Sequence, residues 1–252
     1  MAQMSSIEWT DLTWNPVVGC SIESSGCKNC YAMRMAARLE AMGHEKYQGL
    51  TKRSKRGAVW TDKVTCHDGS VETPLTWKKP RRVFVNSMGD LFHPEVSPDF
   101  VRRIWTVMGQ TPQHQYQILT KRPQRMSALL LDICPVPLPN VWLGTSVESA
   151  AVSSRIDHLR AVPASVRFIS FEPLIDDVGK LDLTGIHWAI VGGESGPHAR
   201  PMRDEWVESI LDQCVVAGTA FFFKQWGGVN KKKTGRVLRG RTYDEMPAYM
   251  NL

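Results

Sequence analysis

The sequence lacks long apolar runs, internal repeats and low-complexity linkers, and each absence excludes a class of protein. No stretch approaches the ~18 apolar residues that a membrane-spanning helix needs. No repeat of ~20–50 residues indicates a solenoid or a propeller. The segment from Met1 to Glu8 lacks the basic-then-apolar order of a secretory signal. We therefore expect a cytoplasmic protein with no membrane partner.

The composition is that of an ordinary globular protein. Hydrophobic residues make up 42% of the 252 residues and charged residues 22%, which excludes a disordered chain, a collagen-like fibre and a small disulfide scaffold. The length allows one large domain or two small ones, and we predict a single domain over residues 1–252. Disulfides are rare in the cytoplasm, so the six cysteines are expected to be thiols or metal ligands.

The positive charge of the chain is concentrated in one segment. Residues 44–82 contain ten Lys and Arg against four Asp and Glu, which equals the whole net charge of +6. We predict a basic insertion there and a basic extension at about 227–252, where Lys231, Lys232 and Lys233 begin a second basic stretch. Trp60 and Trp77 lie among the charges of the insertion. Clustered cations with aromatic residues are typical of a polyanion-binding surface, although a solvated loop that keeps the protein soluble has the same composition.

Short apolar runs alternate with helical stretches along the chain. Continuous apolar runs of this length are typical of parallel strands that are covered on both faces. The seven predicted strands are 14–18, 82–85, 116–119, 141–144, 167–170, 187–191 and 220–223. Seven strand–helix units predict an α/β fold, a partial (β/α) barrel of about six to seven parallel strands, and favour it over a doubly wound sheet.

Four helices are predicted between these strands. Ser97 and Pro98 form a capping pair before a helix, and Gly43 is expected to end the first helix, which begins at Tyr31. The other two helices are predicted over 148–159 and 205–216.

Polar side chains follow the ends of the predicted strands. Ligands bind at the carboxyl ends of strands in barrels and in open parallel sheets. We therefore predict a functional face built from these residues, which include Ser87, Asp90, Lys121, Ser146, Glu148, Glu172 and Glu194.

Three cysteines directly follow the first predicted strand. Cys20, Cys27 and Cys30 have the spacing C-x6-C-x2-C. Three thiolates on one loop can hold three irons of a 4Fe–4S cluster and leave the fourth iron open. A zinc site is the alternative, with Cys66, His67 or His44 as the fourth ligand. The isolated Cys134 and Cys214 are expected in the core.

At these residues the sequence resembles the radical S-adenosylmethionine (SAM) superfamily. Cys27-x-x-Cys30-Tyr-Ala, after the first strand of a parallel barrel, is similar to the branch that contains spore photoproduct lyase. Trp14–Cys20, Ser170–Pro173 and Val191–Pro197 resemble, more narrowly, an uncharacterised three-cysteine family of bacteriophage proteins.

The resemblance implies two cofactors, a 4Fe–4S cluster and SAM, and an external electron donor. By position, the three cysteines resemble the cluster ligands, and Tyr31 would pack near the adenine of SAM. Ser87 and Asp90 would bind its amino group, and Lys121 its carboxylate. Ser146 would bind its ribose, with Glu148 beside it.

Glu172 and Glu194 are expected where a substrate would lie above SAM, as candidate catalytic residues. Two features depart from the superfamily pattern. The first cysteine gap is six residues instead of three, and Gly192-Gly-Glu194 follows the sixth strand instead of the second.

The resemblance and the charge together predict a radical SAM enzyme that generates a 5′-deoxyadenosyl radical. Its substrate would be a nucleic acid, with DNA favoured, for example a hypermodified thymine in phage DNA. The alternative from another class is a zinc-stabilised nucleic-acid-binding protein without catalysis. A third hypothesis is an iron–sulfur adaptor that never cleaves SAM.

Overall fold

The computed structural model describes residues 3–5, 7–55 and 57–248. Its strands are β1 (Gln3–Met4), β2 (Leu12–Trp14), β3 (Val17–Val18), β4 (Thr51–Ser54), β5 (Gly57–Trp60), β6 (Thr65–Cys66), β7 (Arg82–Val85), β8 (Gln115–Thr120), β9 (Val141–Ser146), β10 (Val166–Phe171), β11 (Trp188–Gly192) and β12 (Ala220–Gln225). Its helices are α1 (Tyr31–Ala41), α2 (Pro98–Gln110), α3 (Pro123–Ile133), α4 (Arg155–Arg160), α5 (Asp204–Ala217) and α6 (Lys231–Thr234).

One curled sheet forms the centre of the fold. Its strand order is β1-β2-β7-β8-β9-β10-β11-β12. All neighbours from β2 to β12 pair in parallel, and only the short β1 is antiparallel. Since the spatial order follows the chain order, each helical connection moves by one strand, as in a (β/α) barrel. The order ends at β12, so the sheet is a half-barrel of seven parallel strands, and the predicted fold is confirmed.

Two cores cover the two faces of this sheet. The convex face packs against the helices, and the concave face carries an aromatic cluster: Trp9, Phe84, Trp142, Phe168, Trp188, Ile190 and Phe222. Trp188 is fully buried and contacts four of the other aromatic rings. Gly144 faces Phe168, where a Cβ atom would stand 2.5 Å from the ring. A glycine is therefore needed for this ring to fit.

The predicted helix boundaries agree with the structure at three helices. The Ser97 hydroxyl accepts a hydrogen bond from the Phe100 amide at the start of α2, as expected of an N-cap. Helix α1 ends at Ala41, and Gly43 has a positive φ of 81°. The predicted helix 205–216 is α5, which stops at Gly218 in the left-handed conformation.

Two predicted elements are wrong. The first strand of the sheet is β2, not 14–18, because Pro16 cannot donate to a ladder and Val17–Val18 pair instead with Thr65–Cys66. The predicted helix 148–159 consists of a 3-10 turn, Ala150–Val152, and the short α4. Glu148 therefore precedes the helical region instead of starting it.

The basic insertion contains a small core of its own, packed on α1. Leu50 and Trp60 lie in a cluster with Val18, Ala32, Met33, Ala36 and Met88, and Cys20 and Cys30 border it. Strands β4 and β5 form an antiparallel hairpin over this cluster. Trp60 is buried, so the nucleic-acid stacking expected of it is wrong, and Trp77 packs edge-on against His114.

In the part of the chain that the structure describes, no helix has the length and apolar character needed to cross a membrane.

Candidate functional site at the cysteine loop

The predicted site residues meet at the carboxyl ends of the parallel strands. The segment from Cys20 to Cys30, here called the cysteine loop, runs from β3 to α1. Cys27 is buried, and a negative charge on it would raise the pKa of both Cys20 and Cys30. The backbone of Ala32 and Met33, in the first turn of α1, acts to lower the pKa of the Cys30 thiol, although burial outweighs it.

The environment of these thiols combines burial with nearby cations. Burial, followed by the Asp90 charge, raises the pKa of Cys20 to about 12, and burial raises the pKa of Cys30. The Arg122 Nη1 atom lies 3.8 Å from the Cys20 sulfur, and the Lys121 charge favours the thiolate of Cys30. A metal would therefore displace protons on binding, and both cations and the α1 amides would stabilise the bound thiolates.

The donor set fits an iron–sulfur cluster. It consists of three soft sulfur ligands on one loop, next to two cations and a helix N-terminus that offset negative charge. Among residues 3–5, 7–55 and 57–248, no three His, Cys, Asp or Glu side chains stand together as a ready-made site for a single metal ion.

The residues expected to complete a zinc site lie in other contacts. Cys66 is the ladder partner of Val17, and the His67 Nδ1 atom lies 2.7 Å from the Ser70 hydroxyl. His44 is an exposed residue after α1.

Asp90 and Arg122 form a buried ion pair beside the start of the cysteine loop. The Asp90 carboxylate accepts hydrogen bonds from Arg122 (2.7 Å), the Thr120 hydroxyl (2.8 Å) and the Phe92 amide (2.9 Å). The Arg122 guanidinium also donates to the Ser21 hydroxyl at 2.7 Å. Asp90 is therefore already bound by protein donors on both of its oxygens.

Arg122 also pairs with an acid of the cysteine loop itself. Its Nη2 atom forms an ion pair with Glu23 at 3.1 Å. The His93 Nε2 atom lies 2.9 Å from the Ser21 hydroxyl, while its Nδ1 atom accepts the Glu95 amide hydrogen bond. His93 thus supports Ser21.

Glu148 binds the middle of the cysteine loop. Its side chain is fully buried, and its Oε1 atom accepts the Gly26 amide at 3.1 Å. Its Oε2 atom pairs with Arg155 at 3.0 Å and with Lys121 at 3.7 Å. Burial alone would raise the pKa of Glu148, but the Lys121 and Arg155 charges and the Gly26 amide hold it below its ordinary value.

Glu194 binds the end of the cysteine loop together with Arg200. The Glu194 carboxylate accepts hydrogen bonds from Asn29 (2.8 Å) and from the Arg200 side chain and amide. Arg200 in turn donates to the Ser25 carbonyl at 3.1 Å. Burial acts to raise the pKa of Glu194, but the bonds from Arg200 and Asn29 outweigh it and lower that pKa.

A second group of predicted residues faces the concave side above the aromatic cluster. Ser146 and Ser170 are register partners there, and Ser170 is also the partner of Ile190. Glu172 stands two residues after Ser170 and forms a two-oxygen ion pair with Lys224, at 2.7 and 2.9 Å.

Tyr31 lies at the edge of this group. Its hydroxyl donates to the Ser87 carbonyl at 2.7 Å, and its side chain is half exposed. Desolvation in the cleft, followed by the Cys30 and Glu172 charges, raises the pKa of Tyr31. The Ser87 hydroxyl is bonded to Asn15 at 3.2 Å. Tyr31 therefore lies directly after the cysteine loop and is close enough to Glu172 for its charge to act on the phenol.

Sequence reasoning missed the cations that pair with the predicted acids. Arg122, Arg155, Arg200 and Lys224 were not among the candidate residues, although Arg122 directly follows Lys121. Each pairs with an acid 6 to 52 residues away. The only sequence signal for Arg122 and Lys224 is that they follow predicted strands, as their acidic partners do.

These features define a class of protein: an α/β half-barrel with a cysteine loop at the carboxyl ends of its strands. The chain belongs to the family described as "Protein of unknown function (DUF5131)", whose model matches residues 4–247.

Among solved structures, the fold is similar to spore photoproduct lyase. A cysteine-to-serine mutant of that lyase matches with a TM-score of 0.53 and 11% identity, over 86% of this chain and 75% of that one. The lyase complexed with dinucleoside spore photoproduct matches with a TM-score of 0.49 and 11% identity, over 84% of this chain. The chain spans 63% of the length of that second protein. No curated protein matches the chain.

Proposed function

We propose that this protein is a radical SAM enzyme that acts on a nucleic acid, with DNA favoured. The observation that supports this most directly is the position of Cys20, Cys27 and Cys30 at the carboxyl ends of a half-barrel of the spore photoproduct lyase fold. The three cysteines would hold a 4Fe–4S cluster. A modified thymine in phage DNA is one candidate substrate, and the narrower likeness to bacteriophage proteins stays a prediction.

When bound, the cluster and SAM would supply one-electron chemistry that generates a 5′-deoxyadenosyl radical. The protein's own residues would bind, orient and shield the reactants. Lys121 and Arg122 would stabilise the negative charge of the cysteine ligands. Ser146 and Ser170 carry small side chains on the concave face, beside the aromatic cluster, which would exclude water from that side.

The residues expected to bind SAM differ in how strongly protein groups already bind them. Tyr31, Lys121 and Ser146 are on or beside the concave side and remain the candidates for its adenine, carboxylate and ribose, although Lys121 lies 3.7 Å from Glu148 and the Tyr31 hydroxyl donates to the Ser87 carbonyl. Asp90 and Glu148 are bound by protein donors, so binding SAM through them would require those bonds to be exchanged. Their roles as ligands stay predictions.

Glu172 and Lys224 are the best-placed pair to meet a substrate. Both lie at strand ends on the concave side, and both side chains retain some exposure, 23% and 12%. A paired carboxylate and ammonium can accept and donate hydrogen bonds to a base or sugar. Glu194 is more buried and bonded to Arg200 and Asn29, and its catalytic role stays a prediction.

Anaerobic reconstitution of wild type, Cys27→Ala and Cys66→Ala with iron and sulfide tests the proposal. We expect wild type and Cys66→Ala to bind about four irons per chain and, with dithionite and SAM, to release 5′-deoxyadenosine. Cys27→Ala should do neither.

A colourless protein that retains zinc, and loses it in Cys66→Ala, would replace the proposal with the zinc-stabilised binding protein. A wild-type chain that takes up iron and sulfide but releases no 5′-deoxyadenosine would make the protein an iron–sulfur adaptor.

The nucleic-acid part of the proposal rests on the β4–β5 hairpin. Lys52, Arg53 and Lys55 are exposed there, and the register places Lys52 and Arg53 on opposite faces. Within the described ranges, no ion pair to an acid is found for these three. Exposed arginines elsewhere, such as Arg102 and Arg239, are paired with Asp99 and Asp212. The hairpin cations are thus available to phosphates.

Salt-dependent binding of a fluorescent DNA duplex tests this surface. The double variant Lys52→Ala/Arg53→Ala should bind more weakly. Its slope of log affinity against log salt should be shallower by ~1.8, which corresponds to two lost phosphate contacts. Lys78→Ala/Lys79→Ala removes the same charge just before β7, at the opposite end of the strands. Equal weakening by the two variants would show that net charge, not the hairpin, determines binding.

A further inference from the structure

We infer that Asp90, Glu148 and Glu194 are positioning residues, which hold the cysteine loop in its ligand-binding conformation before any cofactor is present. This inference rests on the proposed function, because it assigns the loop a cluster to receive. The three acids follow three different strands, β7, β9 and β11. Glu148 and Glu194 contact the loop directly, and Asp90 contacts it through Arg122.

The first half of the loop contains little that would fix its shape. Between Cys20 and Cys27 the residues are Ser21-Ile-Glu-Ser-Ser-Gly26, and the backbone turns lie in the second half, where the amides of Cys27, Lys28 and Cys30 donate to the carbonyls of Ser24, Ser25 and Cys27. Small and polar residues allow many backbone conformations, so a free loop would lose entropy when its sulfurs converge. Contacts from the sheet must supply the order.

Glu148 supplies the central contact. Its carboxylate reaches the Gly26 amide from the interior, where a charged acceptor makes a strong hydrogen bond. Gly26 favours this approach, because a Cβ atom at that position would stand 3.0 Å from the carboxylate and would push it away from the amide. Arg155 and Lys121 balance the charge of Glu148, so the carboxylate stays ionised although it is fully buried.

The two outer contacts fix the ends of the loop. Asp90 orients Arg122, which binds the Ser21 hydroxyl and lies beside the Cys20 sulfur. Glu194 binds Asn29, between Cys27 and Cys30, and orients Arg200 onto the Ser25 carbonyl.

Asp90 therefore acts through an arginine, Glu148 binds the loop backbone directly, and Glu194 does both, through Arg200 and through the Asn29 side chain. All three leave the cysteine sulfurs free.

Hydrogen exchange of the cofactor-free protein tests the inference independently of any catalysis. In Glu148→Gln, amides of residues 21–30 should exchange at least tenfold faster than in wild type. Arg200→Gln, at a partly exposed side chain, should accelerate exchange in the Ser25–Asn29 part of the loop.

Asp11→Asn is the matched control. Asp11 also binds a backbone amide and an arginine, both of Arg82, at the opposite end of the sheet. It should leave exchange of the loop unchanged. If the amides of residues 21–30 exchange as slowly in both Glu148→Gln and Arg200→Gln as they do in wild type, the inference is overturned.

A second readout separates positioning from general stability. After reconstitution, Glu148→Gln should retain less iron than Asp11→Asn and give an altered electron paramagnetic resonance spectrum on reduction. Identical iron content and spectra in the two variants would refute the positioning role. If wild type binds no iron but the exchange results hold, the proposed function fails while the loop contacts stand.

Discussion

Replacing Asp90 with Asn should destabilise the protein strongly even without a cofactor. Both members of the Asp90–Arg122 pair are 7% exposed, and their atoms are 2.7 Å apart. Asn retains an oxygen for the Phe92 amide and the Thr120 hydroxyl but removes the charge that faces Arg122. The guanidinium would then be a buried cation without its main partner.

The size of the effect follows from burial and chain length. Breaking a buried ion pair on one side costs ~3–5 kcal/mol, and the retained hydrogen bonds place this case near ~3 kcal/mol. At ~2.1 cal/mol/K per residue, the entropy of unfolding of 252 residues is ~0.5 kcal/mol/K. The expected loss in Tm is therefore ~6 °C.

Calorimetry of the cofactor-free protein measures this loss, with Asp99→Asn as the control. Asp99 pairs with Arg102 at the surface, where its side chain is 90% exposed, so its loss should lower the Tm by less than ~2 °C. The double variant Asp90→Asn/Arg122→Gln should recover part of the loss, because the unpaired cation is gone.

Equal Tm values for Asp90→Asn and Asp99→Asn would refute this reasoning. Asp90 would then be free for a ligand such as the amino group of SAM, and a loss of SAM affinity without a loss of stability would be the corresponding result.

Two further predictions concern the interior. Gly144→Ala should lower the Tm by ~2–6 °C, because its Cβ atom would stand 2.5 Å from the Phe168 ring and overpacking costs ~1–3 kcal/mol. Gly109→Ala, where the Cβ has room, should raise the Tm slightly, and the opposite order by calorimetry would contradict this packing. Burial, with the Arg81 charge, lowers the pKa of His114 in the folded protein. As the pH falls, His114 therefore takes up its proton in the unfolded chain before it does so in the folded one. The free energy of unfolding should fall as pH drops below ~6.5, and less so in His114→Gln. Urea unfolding between pH 7 and pH 5 measures the free energy of unfolding of wild type and of His114→Gln. An equal fall with pH in the two proteins would contradict the role of His114.

The fold could be predicted because its signals are local. The apolar runs, the Ser97 cap and the Gly43 helix end each depend on residues a few positions apart. The first strand was misplaced because the apolar run continues through Pro16 into Val17–Val18, which pair with a segment almost fifty residues away. The burial of Trp60 against α1 depends on a similarly remote contact.

The site could be predicted in position but not in the partners of its residues. The acids after β7, β9 and β11 were found because polar residues at strand ends are visible in the sequence. The cations that pair with these acids are not recognisable in the sequence, because Arg122 reaches Asp90 only when β8 lies beside β7. Arg155 and Arg200 are closer in sequence, but nothing local indicates that they turn back onto Glu148 and Glu194.

An acid at the end of a strand has the same sequence signal whether it binds a ligand or holds a loop. Its partner decides between the two, since a carboxylate that already accepts protein hydrogen bonds gains little from exchanging them for an ammonium group. Glu148, which is fully buried against Arg155, is the clearest loop-holding residue by this criterion. Glu172, paired with Lys224 and partly exposed on the concave side, is the acid whose position best suits a substrate. The carboxylates therefore divide by burial, three beneath the cysteine loop and one facing the space above the aromatic cluster.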